Sequence, residues 1–353
     1  MVTLGTSSTL CSFIGVMLPQ QINFGYRGKQ EVKHARCGGF QIKANVKTPN
    51  KDDNSLRVTT SSTLDDFVFR QNFTIKSYEV GANEKASIET LMNYFQDSAI
   101  NHFKTFGIHR GGFGSTEEMI KRNLIWVFTH MRIETYRYPV CDEVVQVEAW
   151  MSVAGKNAVR WNWLLRDSKT YQVLSKASSG CVMMNKLTRK LSKIPEEARR
   201  EFESYFVNSS RMIPEDDIKN IPKLNVITAD YICTDLKPRW NDLDINLHVS
   251  NVKYIGWVLE SVPESILTNH ELCGMSLEYK RECGRDSKLH SLTAICGANN
   301  NNVEFYHLLQ LEDRGVEILR GRTKWRPKPI RNWGLLKLLL QLQNQRHYLF
   351  HTS

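Results

Sequence analysis

Asp244, Asn246 and His248 alternate along one turn-rich stretch of the chain, Arg239 to Glu260. A side-chain amide can donate to a developing oxyanion, and a carboxylate can orient that amide. An imidazole with a reference pKa near 6.5 can move a proton at neutral pH. Together these types suit a reaction that places negative charge on a carbonyl oxygen. Asp and Asn before a helix are also ordinary turn and capping residues, and a lone His is often structural. The three residues alone leave both readings open.

The elements that must position them follow directly. Val252, Ile255, Val258, Leu259, Val262 and Ile266 recur at helical spacing, which predicts a helix over Asn251 to Leu267. Ser250 or Asn251 can cap it. Asp244, Asn246 and His248 then arrive on a loop aimed at a helix N-terminus, where free N–H groups and the positive end of the dipole gather.

The longer string Asp244-x-Asn246-x-His248-Val249-x-Asn251-x-x-Tyr254-Ile255-Gly256-Trp257 resembles the plant acyl-ACP thioesterases closely. Leu277-Glu278-Tyr279-Lys280-Arg281-Glu282-Cys283-Gly284-Arg285-Asp286 resembles that family's second active-site segment. The resemblance runs from about Phe67 to about Pro329 and is closest to the class favouring saturated acyl chains. It implies tandem hotdog domains, each an antiparallel sheet wrapped around a central helix. It implies hydrolysis of fatty acyl-ACP to free fatty acid, ending plastid fatty acid synthesis. It also implies no cofactor, acyl carrier protein (ACP) as partner, and the chloroplast stroma as location. A catalytically weakened protein that binds acyl chains or the carrier is the alternative on the same fold, and a homodimer is compatible with either.

Within the second segment Glu282 and Cys283 compete for one role. Either Cys283 attacks as a thiolate activated by His248, or Glu282 helps to activate water. On an ideal strand over Met275 to Cys283, Met275, Leu277, Tyr279 and Cys283 share the face that meets the helix, and Glu278, Lys280 and Glu282 share the other. Cys283 would then point to the core, where it is equally a small buried residue, and a bulge at Gly284 would turn Glu282 inward. Water activation is favoured, because a carboxylate at neutral pH is already a base whereas a buried thiol must first lose its proton.

The first half carries its own long helix, with Ile88, Leu91, Met92, Phe95, Ala99 and Phe103 on one face. The resemblance implies that this face, Met92 and Phe95 included, lines an acyl tunnel; plain core packing explains the pattern equally well. Lys237, Arg239 and Lys253 are candidates for receiving an acidic carrier. The chain departs from the family at Leu247, where Gln is usual, and at Trp161, where Arg160-Trp161-Asn162-Trp163 replaces Arg-Arg-Asp-Trp. It departs again at Cys181, where Trp usually precedes Val-Met-Met-Asn.

The 353 residues have room for about two domains. Strand, apolar-faced helix and then several strands occur twice, which gives an α+β class and an internal repeat. The expected division is a transit peptide and linker over 1–60, a first domain over 67–207, a linker over 208–227, a second domain over 228–329, and a tail over 330–353. In the first of these segments Arg27, Lys29, Lys33, Arg36, Lys43 and Lys47 face the single acid Glu31, as in organelle transit peptides. The net charge of +10 permits acidic partners, but the basic residues are dispersed without a nucleic-acid motif. The eight cysteines form no C-x-x-C and no zinc-like spacing. No run approaches the ~18 to 20 apolar residues of a membrane span.

Overall fold

The computed structural model describes residues 67–208, 213, 222–299 and 302–328. The expected transit segment, the tail and most of the linker lie outside the described residues. The elements of the first half are β1 (Phe69–Thr74), α1 (Ile88–Thr105), α2 (Glu117–Lys121), β2 (Leu124–Thr135), β3 (Val144–Val153), β4 (Val159–Asp167), β5 (Val173–Asn185), β6 (Leu191–Ser192) and α3 (Glu196–Arg200). Those of the second are β7 (Tyr231–Leu236), α4 (Lys253–Leu259), α5 (Glu264–Asn269), β8 (His270–Tyr279), β9 (Leu289–Asn299), β10 (Asn302–Leu311) and β11 (Glu317–Pro327).

Helix α1 forms where the apolar spacing predicts it. Ser87 caps it, its Oγ accepting the Thr90 N–H at 3.0 Å. Leu91, Met92, Phe95 and Phe103 are buried along one face. Gly107, at φ +68, ends the helix, and its N–H returns to the Lys104 carbonyl.

The single helix expected over Asn251 to Leu267 is instead two, α4 and α5. Pro263 separates them, because it has no N–H and its ring disfavours a helical residue before it. The expected cap is also displaced. The cap position is Val252, in helical conformation and without a side-chain bond. A Cβ at Gly256 would stand 2.8 Å from Glu89 Oε1, at the end of a side chain on α1 that would have to shift.

Among the described residues the strands form one sheet in the order β1-β3-β4-β5-β2-β8-β11-β10-β9-β7, with β6 paired to β5. The ladders are antiparallel. The order reads 1-3-4-5-2 in the first half and 7-9-10-11-8 in the second, so the two halves repeat one hotdog-type topology. They meet where β2 pairs β8, in a register running from His130–Glu278 to Glu134–Gly274 and centred on Arg132–Ser276. One large apolar core joins the halves, with Phe95, Trp163 and Leu165 from one and Ile255, Leu277 and Leu309 from the other, and a smaller cluster of Leu224, Leu292, Ala294 and Leu308 lies apart from it.

Candidate active site

The loop between β7 and α4 is a tight, closed turn. Leu243 and Val249 bridge its base. Within it the Asp244 N–H donates to the His248 carbonyl at 2.7 Å and the Leu247 N–H to the Asp244 carbonyl at 3.0 Å. Asp244 Oδ1 accepts the Asn246 N–H at 2.7 Å, as acidic side chains do in such turns. Its Oδ2 lies 3.4 Å from Asn246 Nδ2. Asp244 therefore orients Asn246 and leaves the second amide hydrogen free for another acceptor.

The second segment joins this loop through one backbone bond, from the Val249 N–H to the Cys283 carbonyl at 3.0 Å. The chain has by then left the sheet. Strand β8 ends at Tyr279 rather than continuing to Cys283, because the N–H groups of Lys280 and Arg281 both converge on the Ile318 carbonyl, at 2.8 and 3.2 Å. The irregularity expected at Gly284 thus lies earlier, and it swings Glu282 towards the loop. His248 Nε2 stands 3.3 Å from Glu282 Oε2. On its other side His248 Nδ1 is 2.8 Å from the Asn246 carbonyl. A carbonyl only accepts, so Nδ1 carries hydrogen and Nε2 is the ring nitrogen that faces Glu282.

Cys283 points elsewhere. It is buried, its Sγ is 3.4 Å from the Tyr254 hydroxyl, and burial pushes its thiol up to about 11. Asp244, Asn246, His248 and Glu282 all open onto a cavity of about 480 Å³, within the usual range for ligand pockets; Cys283 does not line it. The walls come largely from the first half, from Gln96, Ala99, Ile100 and Phe103 of α1 and Ile125 to Thr129 of β2, joined by Val249, Tyr254 and Tyr279 of the second. Met92 and Phe95 are not among the lining residues. Both are buried in the core, with Phe95 stacked on Trp163 at 5.6 Å, so the cavity uses the adjoining stripe of the same helix.

Two departures from the family pattern reach the cavity and one does not. Trp161 lines it and meets Phe103 edge-on at 5.6 Å, and Cys181 lines it beside them. Leu247 is exposed, at φ +60. Of the basic candidates for carrier docking, Lys253 is engaged by Glu89 at 3.3 Å, whereas Lys237 and Arg239 are exposed. Sequence reasoning missed Arg189, whose guanidinium grips Glu282, and gave no role to Tyr254, which stands in the quoted string and holds Cys283. No spacing signal marks Arg189. Among the described residues no group of three or more His, Cys, Asp or Glu is placed to hold a metal ion.

The first half contains the same turn. Val80 and Ala86 bridge its base, the Gly81 N–H donates to the Lys85 carbonyl, and the Ala86 N–H to the Pro139 carbonyl at 2.8 Å. Gly81, Asn83 and Lys85 thus stand where the second half has Asp244, Asn246 and His248, and Tyr138 stands where it has Glu282. Glu84, at φ +62, matches Leu247, so the left-handed residue belongs to the turn rather than to the chemistry. Lys85 is sealed by Glu271 at 2.7 Å.

Comparison with known proteins gives the family of the chain. Residues 66–202 match the acyl-ACP thioesterase N-terminal domain and residues 227–327 the C-terminal domain. A palmitoyl-acyl carrier protein thioesterase, chloroplastic, of Arabidopsis thaliana is 55% identical over 277 residues, 76% of this chain and 67% of that protein. A chloroplastic dodecanoyl-[acyl-carrier-protein] hydrolase of Cinnamomum camphora is 48% identical over 262 residues, 74% of this chain and 68% of that protein. The chain thus spans about two thirds of the length of these curated relatives. The solved 12:0-ACP thioesterase from Umbellularia californica superposes with a TM-score of 0.70 at 47% identity, covering 74% of this chain and 95% of that one. With both domain matches in chain order, and a shared fold that carries the two active-site segments, the chain belongs to the acyl-ACP thioesterase family.

Proposed function

We propose that this chain hydrolyses the thioester of saturated fatty acyl-ACP to free fatty acid and carrier thiol, in plastids. The observation that carries the reading is the His248–Glu282 contact of 3.3 Å at the polar end of an apolar cavity. In the proposed cycle His248 enters with a proton on Nε2 and Glu282 acts as the base. It takes a proton from water, and the water oxygen adds to the thioester carbon. The free Asn246 amide hydrogen bonds the oxyanion, a contact worth about 3 kcal/mol in such sites. The tetrahedral intermediate collapses, the departing thiolate takes the proton from His248 Nε2, and Glu282 returns its own proton to His248. Asp244 keeps the Asn246 amide aimed. Cys283, away from the cavity, supports the water route rather than an acyl-cysteine. The exposed Lys237 and Arg239 suit the carrier's acidic surface.

The deciding experiment is thiol release by the purified protein across saturated acyl-ACPs of graded length, beside Glu282→Gln. Release that depends on chain length and is lost in the variant is expected. Binding of acyl-ACP without release would instead establish a non-catalytic carrier-binding protein. For location, residues 1–60 fused to a reporter should direct it to plastids and be removed; a cytosolic, full-length fusion would contradict this.

A further inference from the structure

Glu282 has a second charged neighbour, and it comes from the other half of the chain. Arg189 stands at the tip of the β5–β6 hairpin, at φ +55. The turn is fixed by Asn185, whose carbonyl accepts the Arg189 N–H at 2.9 Å. Asn185 Oδ1 accepts the N–H groups of Leu187 at 3.0 Å and Thr188 at 2.9 Å. From this rigid tip Arg189 Nε donates to Glu282 Oε2 at 3.1 Å and Nη2 donates to Oε1. Two parallel bonds from one guanidinium fix both the position and the plane of a carboxylate.

That restraint matters because Glu282 lies on a stretch that has left the sheet. Between Glu282 and the start of β9 at Leu289 no strand neighbour pairs with the backbone, which is held at Cys283 by the Val249 N–H on its carbonyl and by the Tyr254 hydroxyl on its N–H. A glutamate side chain on such a segment has three rotatable bonds to settle. We propose that Arg189 is a positioning residue for thioester hydrolysis, clamping the Glu282 carboxylate so that Oε2 faces both His248 and the attacking water. The inference rests on the role proposed above for Glu282. Lysine cannot replace the clamp, since an ammonium is a point charge without the fork. The catalytic group from one half is therefore aimed by the other.

A double-mutant cycle on the full chain tests this: wild type, Arg189→Met, Glu282→Gln and the double variant, each assayed for kcat and KM on acyl-ACP, with melting temperatures recorded. Misaiming a reacting group costs about 10²-fold at most sites of this kind, so Arg189→Met should lower kcat by roughly 10- to 100-fold. Its KM should stay within about threefold, because Arg189 lines the cavity beside Glu282 and the apolar walls from α1 and β2 are unchanged. In the Glu282→Gln background the same change should alter the residual rate by less than about threefold, since there is no longer a carboxylate base to aim. Arg189→Lys should recover little of the loss. A merely structural Arg189 would lower the rate by the same factor in both backgrounds, or be rescued by Lys, and either result overturns the proposal. An Arg189→Met enzyme with wild-type kcat also overturns it while leaving the role of Glu282 standing. A Glu282→Gln enzyme with wild-type kcat removes that role, and the clamp with it.

Discussion

The Tyr254 hydroxyl lies 3.4 Å from Cys283 Sγ and accepts the Cys283 N–H at 3.2 Å, so one phenol holds both ends of the cysteine. With the thiol pushed up to about 11 by burial, the thiolate that would be needed for attack is scarce at neutral pH. Cys283→Ser should therefore keep kcat within about threefold of wild type, where loss of a true nucleophile would cost orders of magnitude. Mass spectrometry during turnover should find no acyl group on Cys283. A trapped acyl-Cys283 adduct would exclude the water route.

Glu282→Gln preserves size and most hydrogen bonding but cannot take a proton. Its kcat should fall by about 10² to 10⁴, well beyond the effect of Cys283→Ser at every pH assayed. Equal losses in the two variants, with unchanged melting temperatures, would contradict the assignment of the base.

Asn246→Ala removes the one side-chain donor that Asp244 holds in place. Turnover should drop by about 10² with the melting temperature little changed. Near wild-type turnover would take Asn246 out of the site.

Two buried histidines make stability depend on pH. His307 lies 2.7 Å from both Thr293 Oγ1 and Thr323 Oγ1, and burial lowers it to about 3; burial lowers His102 to about 4. The unfolded chain protonates both near 6.5, the folded chain only far below that. Their stabilisation is thus complete above pH 6.5 and drains as the pH falls, by about 1.4 kcal/mol per unit for each histidine. Urea melts between pH 7 and pH 5 should show this slope, reduced by one histidine's share in His307→Gln. A flat profile over that range would refute it.

Glu271 binds Lys85 at 2.7 Å and Arg326 at 2.7 Å, tying the sealed first-half turn to β8 and β11. Burial pushes its carboxyl up, but the Lys85 and Arg326 partners outweigh burial and leave it below its usual range. Its stabilisation is therefore present above about pH 4.5 and lost as the pH falls through the lower folded value. Glu271→Ala should cost about 3 kcal/mol in chemical denaturation at pH 7, since two cations lose their partner. A cost below about 0.5 kcal/mol, typical of surface pairs, would contradict the clamp.

Much of this was readable in the residues before any coordinates. The apolar stripe of α1, the two strand–helix–strands copies and the Asp244-x-Asn246-x-His248 string depend on local spacing, which the chain carries openly. Pro263 was equally visible, yet the apolar spacing ran through it and hid the break between α4 and α5. What spacing could not carry is long-range. Glu282 reaches His248 only because two N–H groups share the Ile318 carbonyl, and strand parity alone gives Glu282 the outer face. Arg189 is separated from Glu282 by the whole linker and by β7, α4, α5 and β8, and nothing local distinguishes it from its neighbour Lys190. Met92 and Phe95 shared the apolar stripe with Ala99 and Phe103, but periodicity cannot say which of two adjoining stripes faces open space.

The β2–β8 junction has a consequence for how the enzyme survives dilution. Two separate hotdog units joined at that strand pair would form a bimolecular complex, its population falling with concentration. Here the same seam is closed within one chain. Arg189 and the acyl walls reach the groups of the other half at an effective concentration set by the tether rather than by the surroundings. Once the chain is folded, Arg189, Glu282 and the His248 loop meet within one molecule, whatever its concentration.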